Sequence, residues 1–141
     1  MSLRDLFDDV IRTEVLLWNA VDARLRESCD LSAGTLDTLR VIDRTPDCRV
    51  QEVAEALAIT VGGASQAVDR LERRGFCTRH PNPKNRRSSV LELTTDGREA
   101  LDRALTVFDA ELATRFAVLP AQDRTALSTA LRTVRASLTP P

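Results

Sequence analysis

Tyrosine is missing altogether from this sequence, and histidine, lysine, methionine and tryptophan occur once each. With a single histidine, His80, a zinc site is hard to assemble from the usual cysteine and histidine sets. The three cysteines, Cys29, Cys48 and Cys77, are widely spaced, form no Cys-x-x-Cys pair and are odd in number, which argues against a disulfide framework. No apolar run approaches the roughly 20 residues needed to span a bilayer. The start, Met1-Ser2-Leu3-Arg4-Asp5, lacks the long apolar segment of a secretory signal, so the expectation is a cytoplasmic protein without a membrane partner. Paired carboxylates, a metal cluster and a phosphate-cradling loop are also lacking. An enzyme is therefore not expected, nor a cofactor; a thiol-based peroxidase is the one chemistry left to imagine.

What is present is an ordinary globular mixture. In 141 residues, 43% are hydrophobic and 29% charged, enough for one domain with a real core. The net charge of −1 hides an asymmetry: between positions 69 and 87 seven basic residues face two acidic ones, a local +5 that leaves −6 for the remainder. Such a patch steers a polyanion onto one surface and repels it elsewhere. Nineteen of the twenty basic residues are arginine, the better residue for bidentate phosphate and guanine contacts.

The patch lies in the most informative stretch, residues 60–94. Thr60 is a suitable N-cap, Ala64, Val68 and Leu71 make one apolar stripe, and Gly75 stands where a left-handed helix stop is expected. The opposite face offers Ser65, Gln66, Asp69, Arg70 and Arg73. Gly62 and Gly63 weaken a helix, but in a first turn the cost is lower and they let the backbone approach a partner closely. Residues 76–80 read as a short strand, 81–87 as a basic loop with turn chemistry in Pro81-Asn82-Pro83, and 88–93 as the returning strand. Thr94-Thr95-Asp96 then offers caps for a new helix, with Gly97 tolerable in its first turn.

Taken in order, residues 3–27 predict a long helix. Leu3, Phe7, Val10, Leu17, Trp18, Val21 and Leu25 recur near a 3.6 period, and Leu6, Ile11, Val15 and Leu16 widen the stripe. A helix this apolar needs burial on more than one side, which implies a partner subunit. Helices over 32–44 and 50–57 follow; the second runs through Ala58-Ile59 into the Thr60 helix, a helix-turn-helix arrangement. After the hairpin, residues 95–117 carry Leu101, Leu105, Phe108, Leu112 and Phe116 on one face. Pro120 fits the first turn of a last helix to about 137, with Leu127, Leu131, Val134 and Leu138 inward. The tail Thr139-Pro140-Pro141 is expected to fray. The order is α-α-α-α-β-β-α-α, with room for a tiny strand near Arg49 beside the hairpin.

The stretch Val68-Asp69-Arg70-Leu71-Glu72-Arg73-Arg74-Gly75-Phe76, the loop Pro81-Asn82-Pro83-Lys84-Asn85-Arg86-Arg87 and the exit Leu93-Thr94-Thr95-Asp96-Gly97-Arg98 resemble the recognition helix, wing and wing exit of the MarR family of bacterial regulators. A lone helix-turn-helix is a weak signal; the coupled helix, wing and exit is a specific one, and helix order and length extend the resemblance across the chain. It implies a mainly α winged helix-turn-helix fold in one domain. Residues of about 3–28 and 98–138 would be dimerisation helices, and about 32–94 the DNA-binding region. It implies a homodimer on a palindromic double-stranded operator, recognition helices in the major groove, wing arginines at the minor groove, and repression relieved by a small ligand or by thiol oxidation. Two departures stand out. Asn85 occupies the position where the family's wing usually has Asp, ahead of Arg87, and Gly62-Gly63 replaces hydroxyl or bulkier residues, which shifts base readout toward Ser65 and Gln66.

The candidate DNA contacts are Thr60, Gly62, Gly63, Ser65, Gln66, Arg70, Arg73, Arg74, Lys84, Arg86 and Arg87. Gln pairs bidentately with adenine and Arg with guanine, whereas Arg70, Arg73 and Arg74 also suit phosphates; the sequence does not divide those roles. An arginine at the wing reads groove width. The bland reading of the same residues is a solvated helix face and a soluble turn, and a rival use is docking of an acidic protein partner. Phe7 and Trp18 belong in a core or dimer interface and are also the best aromatic candidates for a ligand pocket. Among the thiols, Cys77 is expected to be half-buried and inert. Cys48, between Asp47 and Arg49, is placed where exposure would let Arg49 lower its pKa, which makes Cys48 and Cys29 the redox candidates, but the favoured reading of the thiols is structural. The redox-sensing branch of the family leans on an early cysteine with tyrosine partners, and this chain has no tyrosine.

Overall fold

The computed structural model describes residues 1–140, apart from the side chain of Arg86; that expected contact and Pro141 of the tail lie outside the described residues. The element order is α1 (Leu3–Cys29), α2 (Ala33–Arg44), α3 (Val50–Leu57), α4 (Val61–Arg73), β1 (Cys77–Asn82), β2 (Asn85–Leu93), α5 (Thr95–Phe116) and α6 (Ala121–Leu138). The fold class is the expected one, mainly α with a small β-hairpin.

Local chemistry sets the boundaries. Ser2 and Asp5 form a capping box at the start of α1. Ser32 caps α2, and Asp22 of α1 accepts the Ala33 N–H at 2.8 Å, which joins the two helices. That bond, with a second from Arg26, holds the Asp22 carboxyl below the usual carboxylate range. Ala58 closes α3 in the left-handed region at φ 53°, a conformation costing an alanine about 1 kcal/mol. The Ala58-Ile59 turn then delivers the chain to Thr60, whose Oγ1 accepts the Gly63 N–H at 3.0 Å. Gly75, at φ 74°, ends the passage out of α4 as expected.

The core is built where α2, α3 and α4 meet the hairpin base and α5. Leu36, Leu39, Val53, Val68 and Leu71 are buried, as are Leu91, Leu93 and Leu101. The two-stranded antiparallel sheet pairs Cys77 with Leu93 and Arg79 with Leu91, and slips between Pro81 and Asn82 so that Asn82 faces Asn85. The strands thus run further than expected. The tip is Pro83-Lys84, and Arg86 and Arg87 belong to β2 rather than to a loop. Pro81 fits inside β1 because each strand of a two-stranded sheet has a free edge. Among the described residues there is no third strand near Arg49; the link from this segment to the hairpin is a backbone bond, Leu91 N–H to the Cys48 carbonyl at 2.7 Å.

Of the long helices, α1 leaves its apolar stripe uncovered by its own chain, in line with its expected need of further cover, and α6 corrects an expectation. On α1 only Val21 and Leu25 are buried, while Leu3, Phe7, Leu16 and Trp18 are exposed. On α6 the residues expected inward, Leu127, Leu131, Val134 and Leu138, are all exposed. A 3.6-residue period shows which side of a helix is apolar, and leaves open whether the same chain covers it.

Candidate nucleic-acid interface

Helix α4 turns Ala64, Val68 and Leu71 into the core. Its other side is left with Gln66, Asp69, Arg70, Glu72 and Arg73 exposed and Ser65 half-exposed. Thr60 and Gly62 stand at its exposed leading end, with Gly63 half-buried beside them. The two glycines differ. A β-carbon on Gly63 would lie 3.2 Å from Thr60 Oγ1, against the cap, whereas one on Gly62 meets nothing within 4 Å. The fold has no need of a glycine at position 62, and the open space there suits a closely approaching partner.

The hairpin is locked beside this helix by Arg79. From β1 its guanidinium reaches Asp69 and Glu72 on α4, through Nη2 and Nε, both at 2.5 Å. One arginine thereby pairs with both acids of an otherwise polyanion-attracting face and offsets one of their two charges. Sequence reasoning counted Arg79 in the patch and missed this clamp. The available signal was two carboxylates three residues apart on a helix face that otherwise offers cations.

At the tip, asparagines organise the turn. Asn82 Oδ1 accepts the Lys84 N–H and Asn85 Oδ1 accepts the Arg87 N–H, both at 3.0 Å, and Asn82 Nδ2 donates to Ser88 Oγ at 3.1 Å. Asn85, in the place of an expected aspartate, thus holds the backbone of Arg87. His80 is an exposed wing residue, 3.2 Å from Glu92 and 3.0 Å from Thr78 Oγ1.

The basic residues divide into two sets. Arg70, Arg73, Lys84 and Arg87 are exposed and have no ion pair among the described residues. Arg79 is engaged as above. Arg74, expected with the first set, instead donates from Nη1 to the Asp30 carbonyl at 2.7 Å and lies over the Phe76 ring, 4.9 Å from its centroid.

Cys48 corrects the thiol expectation. It is fully buried, and burial first, then Glu52, pushes its thiol up to about 11. The opposing pull of Arg49 is the weakest, since that guanidinium bonds to Glu52. Cys77 is buried rather than half-buried, and burial raises its thiol as well. Cys29 is partly exposed at the end of α1. Such buried neutral thiols are poor nucleophiles.

Of the two pocket candidates, Trp18 lines a cavity of about 200 Å³ with Leu17, Val21, Leu36, Phe108 and Leu112, rimmed by Glu14 and Asp37. Phe7 is not part of it and stands exposed on α1. Burial raises the Asp37 carboxyl, with Arg40 opposing; the Arg40 guanidinium also lies over the Phe108 ring. A larger groove of about 800 Å³ opens between α5 and α6.

The sequence and the fold are similar to those of known proteins. The profile of the MarR family matches residues 31–89, from just before α2 into β2. An uncharacterised HTH-type transcriptional regulator of Bacillus subtilis, YkoM, is 30% identical over 84 residues, which cover 60% of this chain and 54% of that protein. The chain is thus matched over about half the length of that relative. Solved structures extend the likeness. Sco3205, a MarR family transcriptional regulator from Streptomyces coelicolor crystallised in complex with DNA, superposes with a TM-score of 0.89 at 25% identity, over 97% of this chain and 91% of that one. The transcriptional repressor CouR, bound to a 23-mer DNA duplex, superposes with a TM-score of 0.84 at 26% identity, over 96% and 98%. By helix order, by the hairpin that follows α4 and by these relatives together, the chain has the winged helix-turn-helix fold of the MarR family of transcriptional regulators, whose profile matches its residues 31–89.

Proposed function

We propose that this protein is a sequence-specific double-stranded-DNA-binding regulator that acts as a homodimeric repressor on a palindromic operator and is relieved by a small ligand. The observation that carries the reading is the division of the basic residues. Arg70, Arg73, Lys84 and Arg87 have no acidic partner among the described residues, while the acids between them are held by Arg79. Helix α4 is assigned to the major groove, where Gln66 and Arg70 read base edges. Lys84 and Arg87 are assigned to the flanking minor groove, and Arg73 to phosphate. The DNA-bound state of the Sco3205 and CouR structures supports the same use here.

The uncovered apolar faces of α1 and α6, which an aqueous monomer would have to leave wet, support dimerisation. The cavity under Trp18 is the candidate effector site. It touches α1, α2 and α5, so a ligand there would act on the elements that join the pairing surface to the helix-turn-helix.

Selection of bound sequences from random duplexes tests the reading. A palindrome with half-sites about one helical turn apart is expected, with affinity falling steeply as salt rises. Arg70→Ala should lose about five- to a hundredfold in affinity for the selected site, the range of one base-reading pair. Arg87→Ala should lose at least several-fold, in the manner of a groove or phosphate contact. Absence of any enriched sequence, together with capture of an acidic protein by the intact wing, would replace this reading with the docking one.

A further inference from the structure

We propose that Arg74 is a positioning residue: by joining the end of α4 to the end of α1 it fixes the angle between them, and so the half-site spacing that the dimer accepts. The proposal rests on the DNA-binding reading above and goes beyond it. Arg74 is the C-cap of α4, and its own N–H bonds to the Arg70 carbonyl, so its backbone is held. Its guanidinium leaves the helix it ends. Nη1 donates to the Asp30 carbonyl at 2.7 Å, Nη2 lies 3.6 Å from the Asp30 carboxylate, and the plane rests on Phe76. Asp30 is the left-handed C-cap of α1. Among the described residues this is the one hydrogen bond between the α1 terminus and α4.

The C-terminus of α1 meets this guanidinium at the Asp30 carbonyl, where a cation is favoured by the partial negative charge of the helix end. The guanidinium's fixed fork and its stacking on Phe76 define a direction as well as an attraction. The Asp30 carbonyl and the Phe76 ring thus occupy one of its N–H donors and one of its faces, which leaves fewer contacts for phosphate. The anchor on the α1 side is firm, because Leu25 and Leu31 on either side of Asp30 are buried in the core.

The consequence is geometric. Helix α1 carries the apolar face assigned to pairing, and α4 enters the groove, so the joint between them sets the separation of the two α4 helices. Inserting one base pair between half-sites moves one of them by about 3.4 Å and turns it by about 35°. A stiff joint rejects that change, and a loose one follows it.

The test uses the full-length chain, with selection from duplex libraries whose half-site separation varies by single base pairs. Binding isotherms at several salt concentrations accompany it, for the wild type, Arg74→Ala and the charge-preserving Arg74→Lys. Urea unfolding confirms that each variant is folded. For the wild type, one added base pair should lower affinity by about tenfold or more, as a misplaced base contact does. Both variants should flatten that penalty to about threefold or less, while the salt slope stays the same, since no phosphate contact is lost. A salt slope lowered by about one in Arg74→Ala, kept in Arg74→Lys, with the sharp spacing preference retained in both, would make Arg74 a phosphate contact and overturn the proposal. A wild type that enriches no duplex defeats the DNA reading itself and the proposal with it. A wild type that binds with one spacing, and variants that keep both spacing and slope, defeat the proposal alone.

Discussion

A β-carbon on Gly97 would sit 2.0 Å from the carbonyl oxygen of Phe76. The first turn of α5 therefore lies directly on the backbone that enters the wing. Thr94 fastens the same junction three ways: its N–H donates to the Phe76 carbonyl at 3.0 Å, its hydroxyl donates to the Gly75 carbonyl at 2.6 Å, and its Oγ1 accepts the Gly97 N–H at 3.0 Å. The end of the recognition helix, the root of the wing and the start of α5 are thus one joint. Gly97 is there for space, since its φ is not in the left-handed region.

Gly97→Ala should therefore be severely destabilising, by about 3 kcal/mol or more, because the obstacle is backbone and cannot rotate away. Thr94→Val, which removes the cap but keeps the shape, should cost about 1 kcal/mol. Urea unfolding measures both. A Gly97→Ala protein as stable as the wild type would show that the contact relaxes freely.

Arg79→Ala should weaken DNA binding more than it weakens the fold. The clamp is partly exposed, so its loss should cost about 1 kcal/mol or less of stability. It does, however, release the wing from α4 and uncover Asp69 and Glu72 on the DNA-facing surface. Adding Asp69→Asn and Glu72→Gln to Arg79→Ala should restore part of the affinity by removing that repulsion. Titrations of operator DNA against the single and triple variants decide the matter; equal affinity for both would mean that the uncovered acids carry no weight.

Gly62→Ala separates folding from recognition. Nothing in the protein opposes a β-carbon there, so helix propensity should raise stability by up to about 1 kcal/mol. If the bare backbone of the α4 entry approaches DNA closely, affinity for the operator should fall at the same time. Tighter binding by this variant would remove Gly62 from the interface.

The buried thiols give stability a pH dependence at the alkaline end. Cys48 is pushed up to about 11 and Cys77 is raised from the same ordinary value of 9.0. A raised folded-state pKa stabilises fully below the unfolded value and is lost as pH rises through the folded one. Stability should therefore decline between about pH 9 and 11. With no tyrosine and a single lysine, few other side chains titrate in that window. Urea midpoints across it should show the decline, and a Cys48→Ala, Cys77→Ala double variant should flatten it. In the native protein at neutral pH an alkylating reagent should reach Cys29 well before the other two; rapid labelling of Cys48 would contradict its burial.

Much of the architecture was legible because it is local. Thr60 and Thr94 announce caps, Gly75 announces a stop, and Ala64, Val68 and Leu71 announce the inward side of α4. The wing loop was drawn too long because strand pairing is a property of two segments, and the slip at Pro81 and Asn82 follows the backbone partners rather than the side chains. Cys48 looked exposed because charged residues flank it, yet Asp47 sits in a turn at φ 49°, so the direction of its side chain says nothing of Cys48. The burial of Cys48 depends on a core that includes Leu91, far along the chain, whose N–H bonds to the Cys48 carbonyl.

The order of residues alone determined where helices start, stop and turn their apolar sides, since caps and periods act over three or four positions. It also determined that the basic charge gathers around one helix and one hairpin. Only the tertiary structure decided which arginines remain for a partner, because the acceptors that engage Arg79 lie 7 and 10 residues away and that of Arg74 lies 44 away, and they meet through packing, not through sequence spacing.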